Sequence, residues 1–84
     1  MIEVTVRFFG SLRDATGVGQ CTLVLDAGRS EALMQALSAR FGAGVMETLL
    51  DRRVRVAVNQ SLYESLPVLA SGDEVAFMPP VTGG

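Results

Sequence analysis

The sequence contains no histidine and no lysine, and it holds a single cysteine, Cys21. Each absence removes a class of chemistry. Without histidine or a second cysteine there is no donor set for zinc or haem, so no metal site is expected. Without lysine there is no amine for a Schiff base and no isopeptide acceptor on the chain's own side chains. All seven basic residues are arginines: Arg7, Arg13, Arg29, Arg40, Arg52, Arg53 and Arg55. Side chains that titrate near neutral pH are therefore missing, which leaves carboxylates or Cys21 for any proton transfer. The chain is not expected to be an enzyme on its own, nor to hold a bound cofactor.

Long apolar runs and blocks of positive charge are scarce as well. No stretch approaches the roughly 18 apolar residues of a membrane span, and Met1 to Val6 has no charged region followed by an apolar run. The expectation is a cytoplasmic protein with no membrane partner. A net charge of -2 and a pI near 4.9 remove the basic footprint of nucleic-acid binding, so nucleic acid is not an expected partner either. What remains is 84 residues with 49% apolar and 19% charged side chains, the composition of one small domain that folds alone. Cys21, alone on a strand, reads as a small buried hydrophobe in preference to a sulfur-transfer nucleophile.

Periodicity supplies the elements. Met1 to Phe9 alternates, with Ile2, Val4, Val6 and Phe8 on one face and Glu3, Thr5, Arg7 and Phe9 on the other, which is a half-buried strand. Gly10 and Ser11 break it, and Leu12 to Ala15 has room for at most one helical turn before Gly17. Gln20 to Leu25 is a second strand, antiparallel to the first, with Cys21, Leu23 and Leu25 on one face. Ser30 is the expected N-cap of a helix running to Phe41, where Leu33, Leu37 and Phe41 recur every four residues and Gly42 supplies a left-handed cap. Val45 to Leu50 reads as a further short helical turn, with Met46, Leu49 and Leu50 available to the core. Arg53 to Val58 alternates again, Asn59-Gln60 turns, Ser61 to Ser65 is a short edge segment, and Glu74 to Met78 is the last strand.

This order predicts an α+β fold, the β-grasp, with a mixed sheet and one main helix packed on one face. The expected domain spans residues 1–78, followed by an extended tail over residues 79–84. Pro79 and Pro80 favour extended backbone without donors to a ladder, and six residues can reach roughly 20 Å. Gly83 and Gly84 carry no side chains, so such a backbone could thread a narrow channel and present a terminal carboxylate to another protein. The plain alternative is a frayed end. Strand alternation puts Phe9 and Met78 on the open face of the sheet, with Leu62 on the neighbouring edge. The alternative there is that Phe9 or Leu62 packs under the loop after the first strand. Arg52, Arg53 and Arg55 read as a solvated edge, or else as a surface for an acidic partner.

The segments Ile2 to Phe9 with Arg13, Val56-Ala57-Val58-Asn59-Gln60, Gly72-Asp73-Glu74-Val75-Ala76-Phe77 and the ending Pro79-Pro80-Val81-Thr82-Gly83-Gly84 resemble the small subunits of molybdopterin synthase, which are ubiquitin-like sulfur carriers. The resemblance covers essentially the whole chain, and the ending is its most specific part. It implies that the Gly84 carboxylate is adenylated, at the expense of ATP, by an enzyme resembling the ubiquitin-activating enzymes and is then converted to a thiocarboxylate. It implies that Pro80, Val81, Thr82, Gly83 and Gly84 enter the large subunit of the synthase, where sulfur passes to cyclic pyranopterin monophosphate. Phe9, Leu62 and Met78 match the family's apolar partner-binding surface, although an aromatic residue is common where this chain has Met78. Arg13 is a candidate for steering the activating enzyme. Other readings are a sulfur carrier for thiamine thiazole synthesis, a ubiquitin-like protein modifier, and an interaction module with an inert tail.

Overall fold

The alternating runs do form strands, and they join one sheet. In the computed structural model, which describes residues 1–80, the elements are β1 (Ile2–Phe8), α1 (Gly10–Thr16), β2 (Gln20–Leu25), α2 (Ser30–Phe41), α3 (Ala43–Leu49), β3 (Arg55–Val58), β4 (Ser61–Tyr63) and β5 (Glu74–Met78). The strand order is β2-β1-β5-β3-β4. β1 and β2 form the expected antiparallel hairpin, pairing Ile2 with Leu25 and Val6 with Cys21. β5 lies parallel to β1, with Val6 opposite Val75 and Phe8 opposite Phe77, and antiparallel to β3. One parallel pair among antiparallel ones, with the helices on one side, is the β-grasp arrangement.

The core face follows the alternation. Val4, Val6 and Phe8 of β1, Cys21, Leu23 and Leu25 of β2, and Val75 and Phe77 of β5 are buried against Leu33 and Leu37 of α2 and Met46 and Leu49 of α3. Phe8 stacks on Phe77 at 5.8 Å and meets Phe41 edge to face at 5.4 Å, which ties the sheet to the end of α2. Among the described residues no polar or charged side chain is buried, and no helix is long and apolar enough to cross a membrane.

Local expectations differ from the structure in several places, β3 among them: it starts at Arg55 and not at Arg53, because the Arg53 N–H donates to Asp51 at 2.9 Å in a turn. α1 has seven residues where at most one turn was expected, because Leu12 is buried as an anchor and Gly17, at φ 81°, closes the helix by donating to the Arg13 carbonyl. Ser30 is not the N-cap: Arg29 holds that position in extended backbone, and the Ser30 hydroxyl donates to the Glu31 carboxylate at 3.0 Å. Gly42 does have positive φ, at 87°, but its ψ of 170° is extended, so the chain turns directly into α3 without a left-handed cap. Leu50 is 60% exposed and outside the core, since α3 ends at Leu49 and that side chain takes the buried position.

Candidate functional site

The sheet face opposite the helices is built by register. Arg7 of β1 lies opposite Ala76 of β5, Ala76 opposite Ala57 of β3, and Ala57 opposite Leu62 of β4. Two alanines at the centre of this row make a low floor, and larger side chains stand around it. Phe9, Leu62 and Met78 line the resulting depression of about 380 Å³ together with Arg7, Gln60 and Glu74. The structure thus brings the three candidate patch residues to one concavity. Phe9 is 40% exposed and Leu62 62% exposed, so neither packs under the loop after β1.

Each rim residue is fixed by its neighbours. Phe9 continues the parallel ladder by donating its backbone N–H to the Phe77 carbonyl at 3.1 Å, and the Arg7 guanidinium lies 5.1 Å from its ring centre. Arg7 also pairs loosely with Glu74 at 3.8 Å, a half-exposed contact of small energetic weight. Leu62 depends on the β3–β4 hairpin, whose two loop residues, Asn59 and Gln60, both have positive φ, as a tight primed turn requires. Asn59 is locked in that conformation. Its side-chain amide donates to Asp73 at 3.0 Å, its Oδ1 accepts the Glu74 N–H at 3.0 Å, and Asp73 accepts the Ala70 N–H at 2.8 Å. The Ala70 amide first, and Asn59 second, hold the Asp73 carboxyl below its usual range.

Met78 is the last residue of β5, so the depression ends where Pro79 begins. Pro79 packs against Gly10, whose φ is 53° and where an added Cβ would come within 2.9 Å of the proline ring. Pro80 lies beside the β3–β4 edge. Val81, Thr82, Gly83 and Gly84, the remaining tail candidates, fall outside the described residues.

The other candidates separate clearly. Cys21 is buried in the core, and burial pushes its thiol up, away from the reactive thiolate. Arg53 is engaged with Asp51, donating from Nε and Nη2 to its two carboxylate oxygens at 3.1 and 3.0 Å and lowering that carboxyl to about 2. Arg52 and Arg55 are exposed, and Arg13 is exposed beside Gly19. Alternation together with the family resemblance reached Phe9, Leu62 and Met78 but missed the Ala57–Ala76 floor and the Asn59–Asp73 lock. The signals were small side chains on the polar phase of two strands, and an Asn at a two-residue turn.

The family model described as the ThiS family matches residues 6–84. The molybdopterin synthase sulfur carrier subunit of Escherichia coli (strain K12) is 38% identical over 81 residues, covering 96% of this chain and 99% of that protein. A structure from Pyrococcus furiosus, described as putative molybdopterin converting factor, subunit 1, superposes with a TM-score of 0.80 at 26% identity, over 96% of this chain and 100% of that one. SAMP1 from Haloferax volcanii superposes equally well, with a TM-score of 0.80 over 98% of this chain and 99% of that one; at 21% identity this likeness speaks to the fold alone.

Proposed function

The chain belongs to the ThiS family, and from that premise we propose that it is the sulfur carrier subunit of a molybdopterin synthase, a tethered substrate with no catalytic side chains of its own. The observation that carries the reading is positional. The apolar depression formed by Phe9, Leu62 and Met78 ends at the residue where Pro79 and Pro80 start the tail, so a partner that covers the depression also receives the tail. The identity to named carrier subunits supports the choice of partner, the large subunit of the synthase.

The chemistry assigned to Gly84 follows from its carboxylate. A carboxylate is a poor electrophile, because attack must expel an oxide. Attack of its oxygen on the α-phosphorus of ATP, with loss of pyrophosphate, gives an acyl-adenylate whose AMP is a good leaving group. A hydrosulfide equivalent then adds to the acyl carbon, AMP departs, and the thiocarboxylate that results is a sulfur nucleophile. In the large subunit that sulfur displaces an oxygen substituent of cyclic pyranopterin monophosphate to form a thioester, and water then cleaves the acyl–sulfur bond, which leaves the sulfur on the pterin and frees the Gly84 carboxylate. The activating enzyme and the large subunit supply acid and base groups for these steps, in keeping with a carrier that has neither His nor Lys. Pro80, Val81, Thr82 and Gly83 serve as the thread, and the glycines keep it narrow.

Reconstitution tests this reading. The chain, an adenylating enzyme, ATP and sulfide, followed by the large subunit and cyclic pyranopterin monophosphate, should give dithiolene product. Deleting Gly83 and Gly84 should abolish product without altering the far-UV circular dichroism; product formation by the truncated chain at the wild-type rate would refute the assignment.

A further inference from the structure

Arg52, Arg53 and Arg55 place three of the seven arginines within four positions of a chain whose net charge is -2. They line a groove of about 640 Å³ along the β3–β4 edge together with Leu62, Tyr63 and Pro80. Among the described residues, the only acidic one in its lining is Glu64. Arg53 is neutralised by Asp51 at 3.0 Å, whereas Arg52 and Arg55 have no carboxylate within ion-pair distance among the described residues. Leu62 and Tyr63 are 62% and 43% exposed, and among the described residues β4 pairs only with β3, so this edge strand presents an uncovered apolar side chain on each of its faces.

From this juxtaposition we infer that the groove is a second docking site, which takes an acidic segment of the large subunit beside the entering tail. The inference rests on the carrier reading above and deepens it. Two features argue for that occupant. First, a site with two guanidiniums that have no ion-pair partner among the described residues, on a molecule of net negative charge, favours carboxylates, which guanidinium groups bind in bidentate geometry. Second, the groove adjoins the apolar depression across the β3–β4 edge: Leu62 lines both and Arg55 lies opposite Met78 on the open face, while Val56 and Tyr63, in register with Phe77, line it from the helix side. A partner seated on Phe9, Leu62 and Met78 therefore meets Arg55 directly, and a segment of it that passes round the exposed β4 edge reaches Arg52. Exposed charges at the rim of an interface act mainly on encounter, so their contribution belongs to the association rate and its salt dependence.

The experiment measures association and dissociation of the full-length chain with the large subunit at low and high salt. The Arg52→Glu/Arg55→Glu double variant should associate about tenfold more slowly at low salt, lose most of the salt dependence of the wild type, and dissociate at a nearly unchanged rate. Both positions are exposed, so circular dichroism should match the wild type. An unchanged association rate and salt dependence with the large subunit, whatever happens with the activating enzyme, overturns the inference. In that case loss of binding by Phe9→Asp leaves the carrier reading standing, whereas failure of the wild type itself to bind the large subunit overturns both.

Discussion

Asp73 accepts from the Ala70 amide and the Asn59 side chain, and its own carbonyl accepts the Thr5 N–H at 3.0 Å. One residue thus joins the start of β5 to β1 and to the hairpin that carries Leu62. Its carboxyl and that of Asp51 are both held low, Asp51 at about 2 by the Arg53 guanidinium and then the Arg53 amide. The sign of the pH effect follows. Below about pH 4 the unfolded chain takes up protons that the folded carboxylates resist, so the stabilisation is complete above that pH and is lost as pH falls through the folded values. Asp73→Asn, which keeps one acceptor oxygen, should lower Tm at neutral pH. Thermal melts from about pH 5 to about pH 2 should show the gap to wild type narrowing on acidification; a constant gap would mean that Asp73 acts only through its neutral hydrogen bonds. None of this was legible from Asn59 or Asp73 in sequence beyond their being turn residues, because the lock joins positions brought together by the β3–β5 pairing.

At the scale of elements, β1 ends on two adjacent phenylalanines with opposite duties. Phe8 is 2% exposed and packed on Phe77 and Phe41, while Phe9 is 40% exposed on the other face. Phe8→Ala should cost about 3–5 kcal/mol, a large part of a small domain's stability. Phe9→Asp should cost about 1 kcal/mol or less, mostly its contact with Arg7, and yet abolish binding to the large subunit. Denaturant titration and a binding isotherm on both variants check this; a Phe9→Asp chain that binds normally would remove the depression from the docking account. Period-two alternation made this division readable, together with the bounds of β2 and β5. It failed where tertiary contacts outweigh local signals: α1 gains a second turn from the burial of Leu12, and the turn before α2 makes Arg29, not Ser30, the N-cap. Likewise Ala57 and Ala76 become a floor only once the order β1-β5-β3-β4 sets them side by side, and a single strand's pattern does not encode that order.

For the whole molecule, composition and architecture agree on division of labour. A core with no buried polar side chain among the described residues supports one concave apolar face, an arginine-lined edge beside it, and a tail that starts where the two meet. Reactive side chains are scarce: the lone thiol is buried, and His and Lys are absent. On the proposed carrier reading the reactive group is the Gly84 carboxylate, and the proteins that act on it recognise the faces around the tail. The most direct test of this account is an intact-mass spectrum of the protein gently isolated from its own host, with identification of whatever co-elutes. The account expects exchange of one oxygen for sulfur confined to the C-terminal glycine, with a molybdopterin synthase large subunit alongside. An unmodified carboxylate in a host making molybdenum cofactor, or Gly84 found in isopeptide linkage to another protein, would contradict it.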